Sequence, residues 1–245
     1  VTEIVFNPLA LTSAEMRAVI AGPPGPAATL LRAAAHAGLP EAQALYGQIL
    51  LDGRGVDAAP VEAFRWFQQA AQAGHVMAIN MVGRCFENGW GVDADRTAAT
   101  QWYKVAAERG LDWGMYNYAS ALGLGAGVPK DEFAALRWFE QAAALGHAKS
   151  INFVGGFFEE GRCVPADSSR AAECYRRAAE GGDFRGQFNY ARMLAQADRV
   201  DEALSWLAKC NETCTPAFRA RAKANLETSP IAALREAAAS FDKGR

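Results

Sequence analysis

A chain of 245 residues carrying 25 Lys and Arg against 27 Asp and Glu is close to neutral, at a net charge of −2. That balance excludes the basic footprint of a general nucleic-acid binder, and the longest apolar runs fall short of the ~18 residues that a membrane span requires. The five cysteines are odd in number and lack the regular spacing of a disulfide framework, so thiols are the expected state.

In chain order, the first helix signal has Thr12 or Ser13 as its cap and Met16, Val19 and Ile20 on one face. Pro23-Pro24-Gly25-Pro26 ends it, because proline cannot continue the helical hydrogen-bond ladder. Ala27 to Ala37 reads as the second helix of an incomplete unit, so residues 1–38 are expected to cap an array. The first full unit follows. Ala42, Tyr46, Ile49 and Leu50 mark helix A over Pro40 to Asp52, Gly53-Arg54-Gly55-Val56 breaks it, and Ala63, Phe64, Trp66, Phe67, Ala70 and Ala71 mark helix B, which ends at Gly74.

That pattern returns. Ala34-Ala35-His36-Ala37-Gly38 is matched from Ala70, Ala106, Ala142 and Ala178, each start 36 residues after the last. A fixed period of this length means stacked helix pairs that bury their apolar faces only against neighbours. The expectation is an all-α, right-handed superhelical solenoid of antiparallel helix pairs, one domain over residues 1–245. Five repeats would span 39–210, the last with a loop about four residues shorter. Capping helices would fill 211–245, started by Thr215-Pro216 and Ser229-Pro230. Trp66, Trp102 and Trp138 share one slot that passes to Cys174 in the fourth repeat, and Trp102→Ala is expected to cost on the order of 3–5 kcal/mol.

Ala78 with Val82-Gly83, Phe86, Gly89-Trp90-Gly91-Val92, Ala98, Trp102, Ala106-Ala107 and Gly110 resembles the Sel1-like repeat, a relative of the tetratricopeptide repeat, over about residues 30–210. The resemblance implies an adaptor scaffold that binds peptides or proteins on a concave surface, and bacterial members are common. It also implies that helix-A asparagines grip a peptide backbone or terminal carboxylate.

Catalytic and metal motifs are missing from the sequence. There is no HExxH, paired CxxC, P-loop or GxSxG elbow, and nothing completes a zinc set around Cys210 and Cys214. His75 and His147 occupy one slot two repeats apart, too distant to share a metal. No enzyme activity, metal or cofactor is therefore expected. Cys163 and Cys174, eleven residues apart across a loop, are left open as an isolated disulfide.

The informative surface is the part of helix A outside the core stripe. Its rows read Glu41, Met77, Trp113, Lys149 and Arg185, then Ala44, Asn80, Tyr116, Asn152 and Phe188, then Gln48, Arg84, Ser120, Gly156 and Arg192, with Asn117 and Asn189 in an adjacent register. Lys149 and Arg185 sit in first helical turns and Glu159 and Glu160 in a last turn, each at the end the helix dipole disfavours. Trp113, Tyr116 and Phe188 are large apolar groups on a face no neighbouring helix is expected to cover. Met77, Asn80, Arg84, Trp113, Tyr116, Asn117, Lys149, Asn152, Arg185, Phe188, Asn189 and Arg192 are therefore the expected partner-binding residues.

The expected partner is an extended, partly acidic segment of another protein, with no nucleic acid and no membrane, bound by a monomer. The alternative is a regulatory subunit that docks a folded enzyme through its convex face or C-terminal helices. The N-terminus shows no basic segment followed by a long apolar one, which points to the cytoplasm, or to the periplasm if a signal was removed before Val1.

Overall fold

The computed structural model describes Thr12 and residues 21 to 242, and every element within them is helical. The helix signal at Met16, Val19 and Ile20 lies outside the described residues. The chain packs as two compact units that meet in sequence between Lys130 and Asp131.

The first unit contains α1 (Pro24–His36), α2 (Pro40–Asp52), α3 (Pro60–Gln72), α4 (Val76–Asn88), α5 (Arg96–Glu108) and α6 (Asp112–Leu124). Helices A (α2, α4, α6) alternate with helices B (α1, α3, α5), and successive helices pack on one another. Leu31, Phe67, Ile79, Val82 and Cys85 are almost wholly buried between them. Close approach depends on small residues. A Cβ at Gly47 would lie 2.9 Å from the Phe67 ring, and one at Gly83 would lie 2.7 Å from the Tyr103 ring, so each glycine is the seat of an aromatic from the facing helix B.

The two turn glycines have different duties. Gly53 and Gly89 close α2 and α4 in the left-handed conformation at φ 66° and 71°. Gly55 and Gly91 also have positive φ, but they rest on the start of the preceding helix B. A Cβ at Gly55 would come within 2.5 Å of the Pro24 carbonyl carbon, and one at Gly91 within 2.1 Å of the Pro60 carbonyl oxygen. Val56 and Val92 then pack back on the core.

The second unit contains α7 (Glu132–Ala144), α8 (Ala148–Glu160), α9 (Ser168–Glu180), α10 (Phe184–Gln196), α11 (Val200–Thr213), α12 (Pro216–Glu227) and α13 (Ala232–Ala237), followed by a 3-10 turn over Ala238–Asp242. Here helices A are α8 and α10, helices B are α7, α9 and α11, and α12 continues the A series. Its turns depart from the pattern as the sequence suggests. Cys163 takes the second-glycine position and holds φ 62° without being glycine. The turn between α10 and α11 is three residues (197–199), four fewer than the seven of 161–167.

The capping helices seal a core of Phe188, Leu194, Leu207, Cys210, Leu226, Leu234 and Phe241. Thr215 caps α12 by accepting from the Phe218 N–H at 3.3 Å, with Pro216 in the first turn as expected. The start of α13 differs from expectation. Ser229 accepts from the Ile231 N–H at 3.2 Å in a local turn, so the helix opens only at Ala232 and Pro230 stays outside it.

The paired histidines are also helix caps. His75 Nδ1 accepts from the Ala78 N–H at 3.1 Å, His147 Nδ1 accepts from the Ser150 N–H at 3.3 Å, and Asp183, one repeat later in the same slot, accepts from the Gly186 N–H at 2.8 Å. The five cysteines are thiols, Cys163 and Cys174 included. No helix among the described residues is long and apolar enough to cross a membrane.

Candidate functional site

In the second unit α8, α10 and α12 present their exposed faces to one cavity of about 600 Å³, lined by Asn152, Arg185, Phe188, Asn189, Arg192, Phe218, Arg221 and Asn225 among others. Five residues singled out from the sequence therefore meet in one place. Asn189 Nδ2 donates to Asn152 Oδ1 at 2.9 Å, which ties α10 to α8. The bond uses one amide's N–H and the other's carbonyl, and among the described residues neither side chain has another partner. The Asn152 amino group and the Asn189 carbonyl remain available, a donor and an acceptor of the kind a peptide bond requires.

The cations differ from one another. Arg192 Nη2 lies 2.6 and 2.8 Å from the two Glu159 oxygens, and Glu159 also accepts from the Tyr175 hydroxyl at 2.7 Å. Arg192 is thus a wall already neutralised from within, and Glu159 is placed for this bond despite the helix dipole. Glu160 is likewise engaged, 2.6 Å from Arg162 Nε. Arg185 lies against aromatic rings, its guanidinium 4.6 Å from the Phe184 centroid and 5.8 Å from that of Phe218, and its charge also acts on the Asp183 carboxyl. Arg185 and Arg221 are the two lining cations without an ion pair among the described residues.

One expectation is corrected, and one residue lies apart from the cavity. Phe188 is buried at 8% exposure, its ring edge-on to Phe218 at 5.7 Å, because α12 covers the face that the repeat pattern left open. It is floor, not an exposed anchor. Lys149 does not line the cavity, and its charge acts instead on the carboxyl of Asp183. Burial pushes that carboxyl above its usual range, while the Gly186 N–H, Arg185 and Lys149 draw it back.

The first unit repeats the amide pair with different company. Asn117 Nδ2 donates to Asn80 Oδ1 at 2.8 Å, with Asn80 buried. Trp113 and Tyr116 stand edge to face at 6.1 Å, Trp113 being 39% exposed and Met77 41%. Arg84 lies 5.0 Å over the Trp90 ring, with Nη1 3.7 Å from Met81 Sδ. Tyr116 and Asn117 line a cavity of about 260 Å³ that also contains Glu87, which accepts from the Tyr103 hydroxyl at 2.6 Å. Burial first, then the bond to Glu87, drives the Tyr103 hydroxyl far above the ordinary phenol range. This cavity is lined by one carboxylate, Glu87, and one guanidinium, Arg96, whereas the second-unit cavity has two guanidinium groups without an ion pair among the described residues and is the better suited to an anion.

Phe218, Arg221 and Asn225 are missed by the sequence rows, which end at the last full repeat. One more step of 36 from Arg185 and Asn189 reaches Arg221 and Asn225. The shortened turn moves the helix by four residues, about one helical turn, so the same face is kept. Among the described residues no group of His, Cys, Asp and Glu is placed to hold a metal ion.

The Sel1 repeat model matches residues 40–75, 76–111, 114–147 and 148–183, more than half of the chain. The chain belongs to the Sel1 repeat family. Sel1-repeat proteins are generally protein–protein interaction scaffolds, and the fold is typically non-catalytic. The fold is similar to that of a Sel1 repeat protein from Oxalobacter formigenes, with a TM-score of 0.79 at 24% identity over 94% of this chain and 97% of that one. It is also similar to c5321, described as a protective antigen of uropathogenic Escherichia coli strains, with a TM-score of 0.69 at 24% identity over 94% of this chain and 51% of that one. An immunity protein from Pseudomonas aeruginosa, Pa5087, has a TM-score of 0.56 at 14% identity over 83% of this chain and 79% of that one. These likenesses concern the Sel1-repeat fold alone. No curated protein matches this Sel1-repeat chain.

Proposed function

We propose that the protein is an adaptor that binds an extended, acidic segment of another protein in the groove of α8, α10 and α12. The observation that carries the reading is the placement of Arg185 and Arg221, both without an ion pair among the described residues, beside the Asn152–Asn189 amide pair in one cavity of about 600 Å³. The cations would take side-chain or terminal carboxylates, the amides would hold the backbone, and Phe184 and Phe218 would support the bound guanidinium of Arg185. Because α12 is part of this wall, the C-terminal helices belong to the same surface as the groove.

The test is affinity capture from a lysate of the source organism with the wild-type chain and with Arg185→Glu combined with Arg221→Glu. Reversing both charges should weaken capture of the cognate partner by about 100-fold or more, since each reversal turns an attraction into a repulsion at a partly desolvated contact. Helical content should not change. Equal capture by a folded double variant would defeat the groove reading.

A further inference from the structure

The repeat leaves one of its own cavities open, on a different side of α8. In the first unit Trp66 of α3 meets the edge of Tyr46 at 5.8 Å and 71° and that of His36 at 5.0 Å. In the second unit Trp206 of α11 meets Tyr190 in the same way, at 5.8 Å and 69°. Tyr190 is Tyr46 advanced by four repeats, and Trp206 sits four residues early because of the short turn. This indole–phenol pair is therefore a recurrent device for filling the space between consecutive helices B and the helix A below them.

Between these copies the device is stripped. Advancing His36, Tyr46 and Trp66 by three repeats, or 108 residues, gives Ala144, Val154 and Cys174. All three line a groove of about 490 Å³ between α7 and α9, floored by Ile151, Val154 and Phe158 of α8. Trp102 and Trp138 keep the indole in the intervening repeats, so between Trp66 and Trp206 only the α9 copy lacks one. Burial raises the Cys174 thiol, away from the reactive thiolate, so what the residue contributes here is space.

The rim has a sign. Arg170 lies 4.0 Å over the Phe158 ring, Arg177 stands one turn beyond Cys174, and neither forms an ion pair among the described residues. Glu173 is held by Arg176 through two bonds of 2.7 and 2.9 Å, which leaves Glu140 as the opposing rim carboxylate. Arg176 is shared between Glu173 and Glu180, while Arg170 and Arg177 are the lining guanidinium groups without an ion pair among the described residues, and these two favour an occupant that carries a negative charge beside its apolar part.

We propose that this groove binds an aromatic side chain of a partner protein, an indole or phenyl ring borne next to a carboxylate, which supplies from outside the ring that the α9 repeat lacks. The ring would lie on Ile151, Val154 and Phe158 where Trp66 and Trp206 lie in their own repeats, with its carboxylate toward Arg170 and Arg177. The site uses α7, α8 and α9 and stands independently of the α8–α10–α12 groove.

The probe is 5-fluoroindole-3-propionate, titrated into the full chain and followed by fluorine NMR, with 5-fluorotryptamine as the oppositely charged control. Saturable binding is expected, about tenfold tighter than that of the tryptamine. Cys174→Trp, which installs the missing indole, should abolish saturable binding and raise Tm. Arg170→Glu with Arg177→Glu, both exposed positions that threaten no core, should weaken binding about tenfold, and this pair carries the test if Cys174→Trp fails to fold. Absence of saturable binding, or equal affinity in wild type and in a folded Cys174→Trp chain, overturns the proposal. Equal affinity in the arginine variant overturns its carboxylate half.

Discussion

Gly91→Ala is expected to cost on the order of 3–5 kcal/mol, a large fraction of the stability of an ordinary domain. Two penalties add at this position. The backbone is left-handed at φ 72°, which costs an alanine roughly 1–2 kcal/mol. The new methyl would also sit 2.1 Å from the Pro60 carbonyl oxygen and 2.7 Å from the Val61 Cα, both backbone atoms at the start of α3 that cannot rotate away. Gly89→Ala is the matched control. It has nearly the same φ, 71°, but its nearest neighbour would be 3.7 Å away, so only the conformational penalty applies. Urea unfolding of the two variants separates the terms, and equal destabilisation would refute the contact between turn and helix.

Phe67→Ala is expected to cost a further large amount, on the order of 3–5 kcal/mol, because the ring is wholly buried and its removal leaves a cavity between α2 and α3. The sequence assigned that cost to Trp102, but Trp102 is only half-buried, and its truncation should cost clearly less. The coupling with Gly47 gives a sharper check. A Cβ at Gly47 would lie 2.9 Å from the Phe67 ring, so Gly47→Ala should destabilise the wild type. In the Phe67→Ala background the ring is gone and only the Ala63 carbonyl oxygen, 3.2 Å away, stays close, so the same change should cost clearly less than in the wild type, with alanine's helix propensity offsetting up to ~1 kcal/mol. Additive effects in this double-mutant cycle would mean that the glycine is not the ring's seat.

The scaffold is legible in the sequence because it is periodic. Small residues at 47, 83 and 155, turn glycines at 53 and 89 and the B-helix aromatics recur in register, and each slot answers to one physical demand, close approach, positive φ or burial. The groove is legible only in part, because its residues are those that vary. The rows brought Asn152, Arg185, Asn189 and Arg192 to one face, but could not show that Arg192 is spent on Glu159 or that Asn152 and Asn189 bond each other. Those partners lie 33 and 37 residues apart and depend on how side chains from successive helices meet.

The burial of Phe188 was hidden for a different reason. The covering ring, Phe218, lies beyond the last full repeat, where the period has been cut by the three-residue turn. The misplaced charges are instructive too. Glu159 opposes the helix dipole, yet charge-assisted bonds from Arg192 Nη2 to both its oxygens outweigh a dipole term of about 0.3–1 kcal/mol. A charge that contradicts local helix electrostatics thus marks an internal partner here as readily as an external one.

The groove assignment is tested most directly by placing a photo-crosslinking benzoylphenylalanine at Ala224, an exposed position on the cavity wall, and separately at Phe133, which is 67% exposed on α7 and away from the cavity. Both variants are irradiated in a lysate of the source organism. A protein partner covalently trapped from position 224, and not from position 133, is the predicted result. Trapping of the same partner from position 133 alone, or equally from both, would contradict it.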